Sequence, residues 1–218
     1  MTGTRDDVDV RVRAERKRLV EVLAGLDDQQ WRSPSLCAGW SVRDLTVHLL
    51  MPYELSASRF LLLMLRARFD FDRVADRWAT RDRRSPAEVL QGLRATEHRS
   101  FNAGPGAPAE APLSHLVIHA QDVYRPLAVS SPIDPENAAV VLGQLTDARF
   151  RERLSPGLQE GLAFSATDVD WRSGAGPAVT GPAAALVTTL AGRTAALPEL
   201  SGDGVARVRE RLGAAAGG

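Results

Sequence analysis

Val12, Leu19, Val20, Leu23 and Leu26 recur at helical spacing among arginines and glutamates, which predicts a first amphipathic helix over residues 5–26. "SPSLCAGW" follows as a loop rich in turn residues. Ser41 then reads as an N-cap with Asp44 at N3, and the helix it opens carries Leu45, His48 and Leu49 on one face. Pro52 should kink that helix, the apolar pattern resuming over 60–65. "SPAE" at 85–88 combines a serine cap, proline at N1 and glutamate at N3, so a helix is expected to run from there to about Phe101. "NAGPGAPAEAP" is a Gly/Pro loop, Pro112 opens the next helix and Pro126 closes it. Asp134 and Pro135 repeat the cap-and-proline start, with one helix expected through "DPENAAVVLGQLTDARF". The first 150 residues or so therefore read as a helical bundle.

The texture changes near 155–157. "GLAFSATDVDW" alternates apolar and polar side chains as a strand does, "RSGAG" reads as a turn, and "PAVT" as a short return strand. "GPAAALVTTLAGR" and "DGVARVRERL" read as two helices. The expected organisation is a helical bundle over 1–155 and a small α/β domain over 156–218, mainly α in fold class.

Composition narrows the function classes. With 218 residues the chain can bury a core without disulfides, and its single cysteine, Cys37, excludes an internal disulfide and a cysteine-rich zinc site. Cys37 itself reads as a small buried apolar residue. A formal net charge of zero leaves no electrostatic footprint for nucleic acid or an anionic membrane, so neither partner is expected. The N-terminus is charged throughout with no apolar core of a signal peptide, and "FLLLMLRARF" is broken by Arg66 and too short to span a bilayer. The expected location is the cytoplasm. Lys17 is the only lysine among many arginines, a composition typical of a GC-rich genome.

The candidate chemistry sits in "SHLVIHAQD". His115 and His119 are four residues apart in an apolar run, and positions i and i+4 of a helix share a face with Cβ atoms about 5–6 Å apart. Two imidazoles so placed can grip one cation, and His48, on another apolar helical face, is the candidate third ligand. Three histidines with a position left for water or substrate is the pattern of an open, catalytic metal site. The competing reading is that these are hydrogen-bonded packing histidines. Asp122, three residues after His119, could orient a ligand histidine, or could be a polar residue at a helix end whose dipole disfavours it. His98, in "RATEHRS", reads as a solvated residue.

"GWSVRDLTVHLL", "LSHLVIHAQDVYRPLA", "ATDVDWRSGAG" and "GPAAALVTTLAGR" follow one another in an order that resembles the actinobacterial maleylpyruvate isomerase family of mycothiol-dependent enzymes, within the DinB-like superfamily. The resemblance implies a four-helix metal-binding bundle followed by a small α/β domain. It implies a divalent metal, zinc first with nickel, iron or manganese as alternatives, and mycothiol as cosubstrate. It places the family's first metal histidine on His48, the intermediate ligand on His115 and the last on His119. The isomerase that names the family has glutamate at the intermediate position, whereas this chain has the three-histidine set of many other DinB-like proteins. Three neutral ligands leave the cation's full charge to stabilise a thiolate. Arg193, in "LAGR", matches a family arginine that would meet a substrate carboxylate, and is alternatively a basic residue at a helix C-terminus. Trp40 and Trp171 match family tryptophans and read as packing anchors.

The leading expectation is thus an enzyme that activates a low-molecular-weight thiol as metal-bound thiolate, for S-transfer to a small electrophile or for its cis–trans isomerisation. A metal-dependent hydrolase and a metal-stabilised binding protein are the alternatives. Monomer and homodimer are both compatible with the sequence.

Overall fold

The computed structural model describes residues 5–101, 108–130 and 133–216, so residues 102–107 of the expected Gly/Pro loop lie outside the described residues. The chain divides into two compact units, residues 1–112 with 122–129, and residues 113–121 with 130–218. The fold is mainly helical with one small sheet, as expected.

The first unit holds α1 (Arg5–Ala24), α2 (Asp28–Arg32), α3 (Val42–Glu54), α4 (Ala57–Arg66), α5 (Phe71–Arg81) and α6 (Pro86–Ala95). Ser41 and Ser85 start α3 and α6 with reciprocal capping boxes, as their sequences predict. α3 packs against α2, α5 and α6, and every residue from Leu45 to Met51 is buried. The single apolar face expected of this helix is therefore an all-round core segment. Pro52 does not kink a longer helix. α3 stops at Glu54, Leu55 is extended, and the Ser56 hydroxyl accepts from the Arg59 amide to start α4 afresh. α6 ends at Ala95, short of the expected Phe101, because the Thr96 hydroxyl turns back to the Gly92 carbonyl. α2 and α5 were not expected; α5 is masked in the sequence by charged residues around its apolar face of Val74, Ala75 and Ala79.

An ionic network ties α3 to the α5–α6 connection. Arg84 grips both oxygens of Glu54 at 2.7 and 3.0 Å and also bonds Asp82, while Arg43 reaches Asp82 and the Arg84 carbonyl. Burial pushes the Asp82 carboxyl up, but hydrogen bonds from the Arg84 side chain and backbone, helped by the charges of Arg84 and Arg43, outweigh it and hold it below its ordinary range. A depressed folded pKa contributes stability that is present above the unfolded value of about 3.9 and is lost as pH falls through the folded value. Unfolding free energies measured from neutral to acid pH should therefore fall below about pH 4, and Asp82→Asn should remove part of that slope.

The second unit holds α8 (Pro135–Thr146), α9 (Ala148–Leu154), β1 (Ala163–Ala166), β2 (Arg172–Gly174), β3 (Ala178–Gly181), α10 (Ala183–Leu190) and α11 (Val205–Ala216). Asp134 caps α8 as expected, but Asp147 ends it and caps α9, dividing the single helix foreseen there. The sheet has the order β2-β1-β3. β1 pairs antiparallel with β2 and parallel with β3. "RSG" is thus a strand and not a turn, and "AVTG" is a parallel neighbour rather than an antiparallel return. α10 packs on α8, β1 and β3, and Asp168 in the β1–β2 connection accepts from the Ala183 amide at 2.8 Å to cap it.

Gly176 has a φ of 129°, and a Cβ there would collide with the backbone carbonyl of Gly161. The carbonyl cannot move as a flexible side-chain end could. Gly176→Ala should cost about 3 kcal/mol, from strained backbone plus displacement, read as a lowered denaturant midpoint at unchanged m-value.

One more helix, α7 (Ala111–Tyr124), passes through both units: residues 113–121 belong to the second, and its ends to the first. It begins and ends within two residues of the positions that Pro112 and Pro126 predict.

Candidate metal centre

α7 is apolar almost throughout, and from Pro112 to Tyr124 every residue is buried except His115 and His119. A packing histidine in such a helix would share the burial of its neighbours. These two instead form the one stripe that keeps access to solvent. Their rings stand 4.8 Å apart by centroid and nearly perpendicular, at 82°. Two neutral imidazoles one turn apart on a partly open stripe fit the donor set of a borderline-soft divalent cation.

His48 lies on α3 and is only 3% exposed. Its ring is 5.0 Å from that of Trp40 and 6.5 Å from that of Phe71. Trp40 is more than a packing anchor, because its indole N–H donates to Asp76 at 3.2 Å, which fixes the ring beside the imidazole. The neighbouring turn of α3 is held in turn by Trp78, whose indole N–H donates to the Val47 carbonyl.

Asp122 is fully buried near the end of α7. Its Oδ2 accepts from the Cys37 thiol at 3.3 Å, and its carbonyl accepts from the Leu36 amide at 3.1 Å. Cys37 is half-buried and hydrogen-bonded, which differs from the small buried apolar residue expected. No sequence signal could have found this pairing, since the partners are 85 residues apart and neither belongs to a periodic pattern. Helix geometry puts Asp122 one turn from His119 on the same side of α7.

Arg193 follows the C-terminus of α10, is half-buried, and donates to the Ala191 carbonyl. That contact satisfies an end carbonyl of the helix. His98 is exposed, as expected of a solvated residue.

The chain superposes on two solved structures, the mycothiol-dependent maleylpyruvate isomerase and a histidine-to-alanine mutant of it, with TM-scores of 0.54 and 0.55. In each case identity is 15%, and the match covers 92% of this chain and 93% of the other. At that identity the likeness establishes the fold. No protein of curated function matches the chain. The family model of the mycothiol maleylpyruvate isomerase N-terminal domain matches residues 12–130, more than half of the chain, and on that ground the protein belongs to the mycothiol maleylpyruvate isomerase family of enzymes.

Proposed function

We propose that His48, His115 and His119 hold one divalent cation, zinc first, and that the protein uses it with mycothiol to carry out S-transfer to, or cis–trans isomerisation of, a small electrophile. The observation that carries this reading is the partly open stripe on α7: the two histidines are the only residues of a 13-residue stretch, 112–124, that are not buried. When bound, the cation supplies positive charge beside which a thiol ionises well below its ordinary pKa of about 8.5.

The chain's own residues supply the rest. Three neutral imidazoles add no negative charge of their own, so an incoming thiolate is not repelled. Trp40 and Phe71 shield His48 from water and hold its ring in place. Asp122, one turn after His119 on α7, orients the His119 ring, and the Cys37 thiol donates to Asp122. Arg193 binds a carboxylate of the substrate. The protein acts in the cytoplasm, as a monomer or a homodimer.

The test is turnover of maleylpyruvate, and of a simple electrophile, by metal-loaded protein with mycothiol and with water alone. Thiol-dependent turnover of either supports the reading. Equal rates without thiol favour a hydrolase. Binding with no turnover favours a sequestering protein. In the same assay Arg193→Ala should weaken turnover of the carboxylate-bearing substrate by about 10- to 100-fold while leaving metal content unchanged.

A further inference from the structure

Six large apolar side chains are exposed among the described residues, and four of them, Leu61, Leu62, Leu65 and Phe69, fall within one nine-residue stretch of the first unit. They expose between 45% and 65% of their surface, and α4, which carries the leucines, buries no residue fully. The inner side of α4 is fixed: Phe60 lies 6.4 Å from Phe71 of α5 in an edge-on arrangement, Leu63 and Met64 are half-buried, and Ala67 is buried. The outer side is therefore a defined face. Leu61 and Leu65 are one turn apart and make its centre, with Leu62 beside them. Arg59 and Arg66, seven residues apart, form a row next to Leu62, and Arg68 follows in the turn that presents Phe69; all three arginines are exposed. From Ser56 to Phe69 there is no acidic residue. Asp70, which comes next, caps α5 and pairs with Arg73 at 3.5 Å.

We infer that α4 is a docking face for an anionic lipid surface. Its exposed apolar stripe, with arginines alongside, suits insertion of leucines at the level of the acyl chains while guanidinium groups meet phosphates. The overall charge of zero, which argued against a membrane partner, averages over the chain; a surface reads the local balance, and residues 56–69 carry three arginines and no carboxylate. The other occupant to consider is a second copy. Two such faces would bring arginine rows together. Four exposed side chains are also few beside the roughly 20 to 30 residues a side that a stable interface buries. No helix among the described residues is long and apolar enough to cross a membrane, so the association is peripheral and reversible.

Flotation of the whole protein with vesicles tests this. Vesicles of phosphatidylcholine with phosphatidylglycerol should carry the protein up, and phosphatidylcholine alone should not. The Leu61→Ser, Leu65→Ser double variant should lose binding. Each of Arg59→Ser and Arg66→Ser should weaken it by about fivefold, and added salt should weaken it further. Leu154→Ser, a change at an exposed leucine of the second unit, should have no effect. Because the substituted leucines are exposed, the variants should melt like the parent. Absence of binding to the anionic vesicles would overturn the inference, as would binding that the leucine variants retain. A concentration-dependent dimer that Leu61→Ser, Leu65→Ser abolishes would replace it with self-association. None of these outcomes depends on the metal or on mycothiol.

Discussion

His119→Ala should leave the purified protein essentially without bound metal and without thiol-dependent turnover. The expected loss of metal affinity is more than about 100-fold, since even residues that only orient a ligand are worth 10- to 100-fold. The reason is positional. His115 and His119 are the two accessible positions of an otherwise buried stretch of α7, and a single remaining imidazole cannot hold a cation from that helix. Elemental analysis after loading and desalting is the measurement. His98→Ala, at an exposed histidine, is the control and should keep the parent's metal content. The fold should survive the change, because alanine at a partly exposed helical position removes no core packing.

Arg16→Ala should be among the most damaging substitutions for stability, costing about 3 kcal/mol. Arg16 is 3% exposed on α1, yet it is fully engaged at the end of α6. Its guanidinium donates to the carbonyls of Thr96 and Leu93, each at 3.0 Å, and to the Thr96 hydroxyl at 2.8 Å. It also lies 3.9 Å from the centre of the Tyr53 ring. Burial lowers its pKa and the neighbouring Tyr53 counters that, but an arginine starts so high that it stays charged. A cation at a helix C-terminus meets the negative end of the dipole and satisfies its free carbonyls. Removing it takes the guanidinium donors from both carbonyls, leaving Thr96 only the Arg99 amide and Leu93 only the long bond from the Thr96 hydroxyl, and opens a cavity beside Tyr53. Arg16→Lys should recover less than half of the loss, because an ammonium cannot fork between Leu93 and Thr96. Urea denaturation of the three proteins measures both values.

How legible the molecule was in its sequence depended on whether the signal was local. Helix starts at Ser41, Ser85 and Asp134 were readable because a cap is written within four residues. The histidine pair was readable because helical spacing alone puts i and i+4 on one face. The apolar face of α5 is thin and surrounded by charge, so no clear periodicity marks it, and Pro52 alone predicts a kink where Ser56 in fact caps a new helix. The sheet illustrates a different limit. β1 was found from its alternation, but which segments pair with it, and in which direction, is settled by non-local contacts such as those between β1 and β3. The change of texture near Ser155 marks where strand periodicity begins, whereas compactness groups α8 and α9 with the sheet and α10. At the candidate site, the long-range pairing of Cys37 with Asp122 and the setting of His48 beside Trp40 and Phe71 had no trace in local pattern.

The most direct measurement is a calorimetric titration of the metal-loaded protein with mycothiol in two buffers of different ionisation enthalpy. A thiol that binds as its thiolate must give up its proton, so the apparent enthalpy should differ between buffers by an amount that corresponds to about one proton released per site near neutral pH. The demetallated protein should bind mycothiol far more weakly and release none. Identical enthalpies in the two buffers, or equal binding by the demetallated protein, would contradict thiol activation at the three histidines.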